Sequence, residues 1–104
     1  MMPPGFKKAI DLQELADNTS REIEVENMAL LLHRRGDKVY ATGVYCPHEE
    51  VRLDPRNCFG DIIVCKAHGY QCNVKTGACF QEPDLKLNTF PTVIEDGFVW
   101  VKFI

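Results

Sequence analysis

Cys46-Pro47-His48 and Cys65-Lys66-Ala67-His68-Gly69 are the two stretches on which the reading of this 104-residue chain turns. Each offers one soft thiolate and one imidazole, and 16 residues, 49–64, lie between them. In the first stretch Pro47 restricts the backbone between the two donors, so a turn there can aim both side chains at one point. In the second, two residues stand between Cys65 and His68, a chelating interval common in metal knuckles. Gly69 then lets the chain fold away tightly without a Cβ. The intervening residues hold a turn signal, Asp54-Pro55-Arg56-Asn57, and the apolar strand Ile62-Ile63-Val64. A hairpin there would set the two loops side by side, each strand tip presenting one donor pair. Two sulfurs and two nitrogens suit either one zinc ion or an iron–sulfur cluster of mixed ligation.

Around these loops the chain reads as all-β. Short runs rich in Val, Ile and aromatic residues recur between turn signals at 6–10, 21–25, 28–33, 38–45, 61–65, 69–74, 78–80, 85–95 and 98–104. Strands at such spacing predict a sandwich or barrel. Arg35-Gly36-Asp37, Thr76-Gly77 and Asp96-Gly97 supply hairpin turns, since Gly accepts the positive φ of a tight turn. In the last run Phe98, Trp100 and Lys102 alternate with Val99, Val101 and Phe103, which predicts burial on both sides apart from Lys102, with Trp100 in the core. Ile10-Asp11-Leu12-Gln13-Glu14-Leu15, acidic early and apolar at spacings of two and three, predicts one or two helical turns.

Composition narrows the class. The length suits a single domain spanning 1–104, and 45% apolar with 26% charged residues is ordinary globular usage. The net charge is −3, and Lys and Arg are scattered, so no basic stripe for nucleic acid is present. The longest fully apolar run, Met28 to Leu32, is far too short to span a bilayer. Met1-Met2-Pro3-Pro4-Gly5 lacks the layout of a signal peptide. These features predict a soluble cytoplasmic protein, where thiols stay reduced. Five cysteines, an odd number, also argue against a full disulfide framework, leaving metal ligation as the better use of at least two.

The order of the donors bears on which metal group is held. Zinc knuckles commonly place two Cys together and two His together, whereas each loop here mixes one of each. If the cysteines hold one iron and the histidines another, each loop contributes to both irons, as in a Rieske centre. The string Cys46-Pro47-His48, Leu53, Asp61-Ile62-Ile63-Val64-Cys65, His68-Gly69, Thr76-Gly77, Pro83, Phe90-Pro91 and Asp96-Gly97-Phe98-Val99-Trp100-Val101 resembles the bacterial Rieske-type ferredoxins from about Lys38 to the C-terminus. The resemblance implies an antiparallel β-sandwich with a small cluster-binding subdomain, about 45–84, formed by two loops and inserted in a basal β domain. It implies one [2Fe–2S] cluster per chain, with Cys46 and Cys65 on the inner iron and His48 and His68 on the outer, more exposed one. It further implies an electron carrier; no nucleophile–base pair or flavin or nicotinamide fingerprint is present, so no substrate site of its own is expected, and a monomer is the default. Such a carrier takes single electrons from an NAD(P)H-dependent flavoprotein reductase to a terminal dioxygenase or monooxygenase, as in aromatic hydrocarbon catabolism, through transient protein contacts. Two other readings stand beside it: a small Rieske subunit of a reductase such as assimilatory nitrite reductase, and a zinc-stabilised interaction module.

Departures from the wider family pattern carry expectations of their own. Respiratory Rieske proteins staple their cluster loops with two further cysteines, where this chain has Val51 and Ala67. They also place Ser and Tyr, donors toward sulfur, where this chain has Tyr70 and Cys72. Fewer donors lower the potential, so a value at the low end of the Rieske range is expected. Cys58, Cys72 and Cys79 read as small buried hydrophobes or loop thiols. Cys72 and Cys79 flank the Thr76-Gly77 turn and could lie across from one another, although a cytosolic disulfide is unexpected. His33, beside Arg34 and Arg35, reads as a solvated or hydrogen-bonded strand-end residue. Glu49 and Glu50 follow His48 and could steer a basic partner.

Overall fold

Four consecutive residues, Leu30 to His33, are completely shielded from solvent. Successive side chains on a strand point to opposite faces, so the strand that carries them is covered on both sides. The computed structural model describes residues 4–48, 51–66 and 69–103. Its strands are β1 (Phe6–Asp11), β2 (Ser20–Val25), β3 (Met28–Arg35), β4 (Lys38–Thr42), β5 (Cys58–Phe59), β6 (Ile62–Val64), β7 (Gln71–Asn73), β8 (Thr89–Phe90), β9 (Thr92–Glu95) and β10 (Phe98–Lys102). They form three sheets in the orders β1-β10-β9, β2-β3-β4-β8 and β5-β6-β7, and every pairing between these strands is antiparallel. The all-β sandwich expected from the sequence is what the chain adopts.

Two buried groups meet at β3. Leu30 and Leu32 join Leu15, Val25, Val39, Ala41, Val99 and Val101 between the first two sheets. Leu31, on the opposite face, joins Val44, Cys46, Leu53, Ile63, Cys65, Cys72, Val74, Cys79 and Leu87. One strand is therefore the common wall of a basal core and of a second core that contains both cysteines of the paired loops.

Turn chemistry explains much of the register. Asp96 and Gly97 both take positive φ and join β9 to β10 with Glu95 opposite Phe98, as the Asp-Gly signal predicts. Glu26 and Asn27 do the same between β2 and β3, a hairpin with no glycine to announce it. The 10–15 segment is not an α-helix but a 3₁₀ turn over Leu12–Glu14. Asp11 caps it by accepting from the Gln13 backbone N–H at 2.9 Å, and Arg34 holds its end by donating to the carbonyls of Leu12 and Leu15.

Other expectations need correction. The run 85–95 is not one strand, because Pro91 has no N–H to donate and divides β8 from β9. Residues 78–80 form no strand and pair through isolated bridges, Cys72 with Cys79 and Ala78 with Lys86. The run 38–45 ends at Thr42, leaving Tyr45 in a single bridge to Arg52. β10 is not buried on both faces: Val99 and Val101 are fully covered, whereas Phe98 and Trp100 are half-buried. The Lys8 ammonium lies 4.2 Å from the Phe98 ring centre and 5.5 Å from that of Trp100, so a cation and its alkyl stem cover that outer face. Ile104, the end of the expected last strand, lies outside the described residues. No helix among the described residues is long and apolar enough to cross a membrane.

His33 is interior rather than at a solvated strand end, because β3 continues two residues past it to Arg35. Its Nδ1 lies 2.6 Å from Ser20 Oγ and its Nε2 2.9 Å from Thr42 Oγ1, while the Thr42 hydroxyl reaches the Gly43 carbonyl at 3.2 Å. A neutral ring that accepts from Ser20 and donates to Thr42 satisfies the whole chain of groups. Burial, with the Arg35 charge adding to it, pushes the His33 pKa down to about 3. The unfolded ring therefore takes up a proton below its ordinary value of 6.5, and the folded ring does not. Stability is full above that value and falls with pH in the window between 6.5 and about 3. The slope approaches ~1.4 kcal/mol per pH unit, which amounts to about 2 kcal/mol by pH 5. Urea unfolding at pH 7 and pH 5 should show this loss in the parent protein and a shallower one in His33→Gln. Equal losses in the two proteins would refute it.

Candidate metal centre

The two donor loops are closed in the same way. The Cys46 N–H donates to the Val51 carbonyl at 2.9 Å, and the Cys65 N–H donates to the Tyr70 carbonyl at 2.8 Å. Each bond reaches five residues forward from the cysteine, so each loop is pinched at its base with the cysteine at the seam. A further bond, Gly69 N–H to the Cys65 carbonyl at 2.9 Å, tightens the second loop, and Gly69 takes the positive φ of 68° that its position requires. Below the first loop, Tyr45 and Arg52 form a β-bridge and the Leu53 N–H reaches the Val44 carbonyl at 2.7 Å.

A hairpin does lie between the loops, as β5 and β6 with Cys58 opposite Ile63 and Phe59 opposite Ile62. It turns at Gly60-Asp61, however, while the 54–57 signal makes a 3₁₀ turn just before β5. β6 then pairs with β7, which returns from the second loop. Across the loops, the Lys66 ammonium lies 3.2 Å from the Asp54 carboxylate. That carboxylate also caps the 3₁₀ turn Pro55–Asn57 by accepting from the Arg56 backbone N–H. Hydrogen bonds from the Arg56 side chain and backbone, then from Lys66, hold the Asp54 carboxyl well below the usual carboxylate range. The chain leaving the first loop is in this way tied by charge to the second.

Cys46 and Cys65 come together in one buried group, at 3% and 1% exposure, and neither is in a disulfide. His48 is half-buried, with its Nδ1 atom inside the protein. Its ring stacks on Tyr70 of the second loop, with centroids 4.2 Å apart and planes 25° apart. The Tyr70 hydroxyl donates to Glu82 at 3.1 Å. The Gln81 side chain accepts from the Gln71 N–H at 2.9 Å, so a third segment, 81–82, braces the return strand of the second loop. His68 lies outside the described residues, as do Ala67, Glu49 and Glu50. Tyr70, Asp54 and the 81–82 brace were not evident in sequence, because each acts through a contact between segments.

Three of the four expected ligands thus have places that suit a binuclear cluster. Two soft thiols from different loops face one apolar interior, and an imidazole nitrogen turns inward from the first loop. Among the described residues no three His, Cys, Asp or Glu are near enough to hold one ion. A two-iron cluster needs no such group, since each iron takes two protein ligands and shares the bridging sulfides.

Outside the loops, Cys58 is half-buried and lies 3.2 Å from the Arg35 guanidinium. Cys72 and Cys79, expected as thiols, are joined in a disulfide. The sequence placed them across a turn, and the bridge between their backbones puts them directly opposite.

Comparison with known proteins agrees with the fold and with a cluster as the cofactor. Residues 6–91 match the Rieske [2Fe–2S] domain. The ferredoxin CarAc of Metapseudomonas resinovorans is 36% identical over 73 residues, which cover 69% of this chain and 68% of that protein. The ferredoxin component of an alkene monooxygenase system from Xanthobacter autotrophicus is 28% identical over 91 residues, 86% of this chain and 75% of its own. Among solved structures, the ferredoxin in a complex of reduced oxygenase and oxidised ferredoxin of carbazole 1,9a-dioxygenase superposes with a TM-score of 0.81 at 28% identity, covering 96% of this chain and 94% of that one. A nitrite reductase small subunit from Mycobacterium tuberculosis shares the fold, with a TM-score of 0.81 at 17% identity and 95% coverage of both chains. The cluster of this family replaces the single zinc ion that the donor set alone also admitted. From its fold, its paired loops and its match over 6–91, this chain belongs to the Rieske [2Fe–2S] family, and its cofactor is a [2Fe–2S] cluster.

Proposed function

We propose that this protein is the ferredoxin component of an oxygenase system, with Cys46 and Cys65 on the inner iron and His48 and His68 on the outer. It takes single electrons from an NAD(P)H-dependent flavoprotein reductase and hands them to a terminal oxygenase, and has no substrate site of its own. The observation that carries this reading is the matched closure of two loops around one buried pair of cysteines. Two relatives support the oxygenase setting: one is a component of an alkene monooxygenase system, and one is seen in complex with an oxygenase.

When bound, the cluster supplies a one-electron couple. The chain's own residues give that couple a direction. Cys46 and Cys65 sit in the apolar interior and keep water from the inner end. His48 is partly exposed, and the Tyr70 ring fixes its plane, so partners approach on the histidine side. Residues 45–84 act as the cluster-binding subdomain of a monomeric 1–104 domain, a division supported by the separate β5-β6-β7 sheet.

Adding the loaded protein to a flavoprotein reductase and a terminal oxygenase that lack their ferredoxin should restore NAD(P)H-dependent product formation. No restoration, together with copurification on a large nitrite-reducing chain, would move the protein to the reductase-subunit reading.

The midpoint potential follows from the same contacts. The Tyr70 hydroxyl proton goes to Glu82, and Cys72 has no S–H to give while bonded to Cys79. Neither replaces the sulfur-directed donors of high-potential relatives, so the value should lie near the low end of the Rieske range, about −150 mV. Protein-film voltammetry giving a clearly positive midpoint contradicts this account.

A further inference from the structure

We propose that Cys72 and Cys79 are a second redox centre of this protein, a dithiol/disulfide couple that in its oxidised form pins the return strand of the second cluster loop. The Phe80 N–H donates to the Gln71 carbonyl at 3.0 Å, and the Asn73 N–H donates to the Ala78 carbonyl at 2.8 Å. Cys72 and Cys79 therefore face each other between those bonds, at the non-hydrogen-bonded position where cross-strand side chains come closest. Their Cα atoms are 4.1 Å apart, and a disulfide joins them here.

The surroundings favour a couple over a permanent staple. The cysteines are only seven residues apart in sequence, so the bond closes a short ring and gains less from restricting the unfolded chain than a long-range bridge would. Both sulfurs are buried, yet the outer partner lies in a segment held by isolated bridges rather than by a strand. Such a segment can open locally, lifting Cys79 from the edge of the second core while the basal core stays intact.

Reduction balances with a dithiol as co-reactant. One of its thiolates attacks a cysteine sulfur, forming a mixed disulfide and releasing the other cysteine as a thiolate. Its second thiol then displaces the first cysteine and closes a disulfide of its own. Two electrons and two protons pass to the protein, giving Cys72–SH and Cys79–SH.

The loop connection is direct. Cys72 lies opposite Ile63 in the β6–β7 ladder, and that ladder ends at the Cys65–Tyr70 closure. Cys72 and Cys79 share one buried group with Cys46 and Cys65. Two unbonded sulfurs need more room than a bonded pair, and a close-packed interior passes that demand to its neighbours. This pinning role rests on reading residues 65–70 as a cluster loop, whereas the couple itself does not.

The test uses anaerobically prepared, cluster-loaded protein equilibrated in a series of dithiothreitol mixtures, reduced to oxidised. Each sample is acid-quenched, alkylated under denaturing conditions and weighed by mass spectrometry. In oxidising mixtures three of the five cysteines should be labelled, and in reducing mixtures all five, with a two-electron transition between. The reduced form should lose its visible absorption to an iron chelator several-fold faster than the oxidised form. A Cys72→Ser, Cys79→Ser double variant should lose it at the reduced rate in every mixture. Five labels throughout, or three throughout, overturns the couple. A label shift with equal chelation rates overturns the pinning role. A chain without iron whose label number still shifts supports the couple and counts against the ligand assignment instead.

Discussion

Cys65→Ala should yield a colourless protein with no iron or acid-labile sulfide, and Cys46→Ala should do the same. Each cysteine sits at the base of its loop, where its own N–H closes the loop and its side chain enters the buried group. Alanine keeps the N–H and therefore the closure, so the loss should fall on cluster assembly rather than on loop geometry. Nearby cysteines offer no replacement, because Cys72 and Cys79 are tied to each other and Cys58 lies against Arg35. Cys58→Ser is the control: its sulfur belongs to neither loop, and the variant should keep the parent spectrum. Visible absorption and the electron paramagnetic resonance signal of the reduced protein report the outcome. A Cys46→Ala protein with an unchanged spectrum would show that the inner ligands have been misassigned.

Gly77→Ala should be the most damaging single-methyl addition among the described glycines. Gly77 takes φ of +81°, and a Cβ there would be driven into the carbonyl oxygen of Leu87. That carbonyl is backbone and cannot swing aside. The two segments are also hydrogen-bonded, with the Leu87 N–H donating to Gly77 at 2.8 Å and the Gly77 N–H to Asn73 at 2.7 Å. The left-handed conformation alone costs an L-residue ~1–2 kcal/mol, and the backbone clash raises the total to about 4 kcal/mol or more. For a domain of this size that lowers Tm by on the order of 20 °C. Gly36→Ala separates the two causes: φ there is +65°, but nothing lies within 4 Å of the added carbon, so only the conformational part should appear. Thermal melts that showed equal losses for the two variants would contradict the clash.

What could be read from sequence is what depends on neighbours along the chain. The Asp96-Gly97 turn is local chemistry and stands in the structure as expected, whereas the hairpin between the donor stretches turns at Gly60-Asp61, downstream of the 54–57 signal. Glu26-Asn27 turns just as tightly with no glycine; Asn27 accepts positive φ readily, whereas Glu26 has it imposed by the strands it joins. His33 looked like a strand end because two arginines follow it. Both arginines instead spend their guanidinium groups on backbone carbonyls, Arg34 on Leu12 and Leu15 and Arg35 on Gly60, so the strand runs on beneath them and the imidazole is sealed in. The segment 78–80 has strand-like composition, but its partners contribute single bridges, and composition does not reveal how much edge is left to pair with. The Tyr70–His48 stack and the Lys66–Asp54 contact join residues 22 and 12 positions apart, distances over which periodicity says nothing.

The placement of β3 between two interiors bears on the life of the protein before it receives its metal. Val25, Leu30, Leu32, Val99 and their neighbours bury one another without help from any proposed ligand, so that half should persist in the apoprotein as a folded body. The two loop closures are backbone hydrogen bonds that need no metal either, so the frame that receives the cluster stands ready beside that body. Insertion would complete a domain that is already built on its far side.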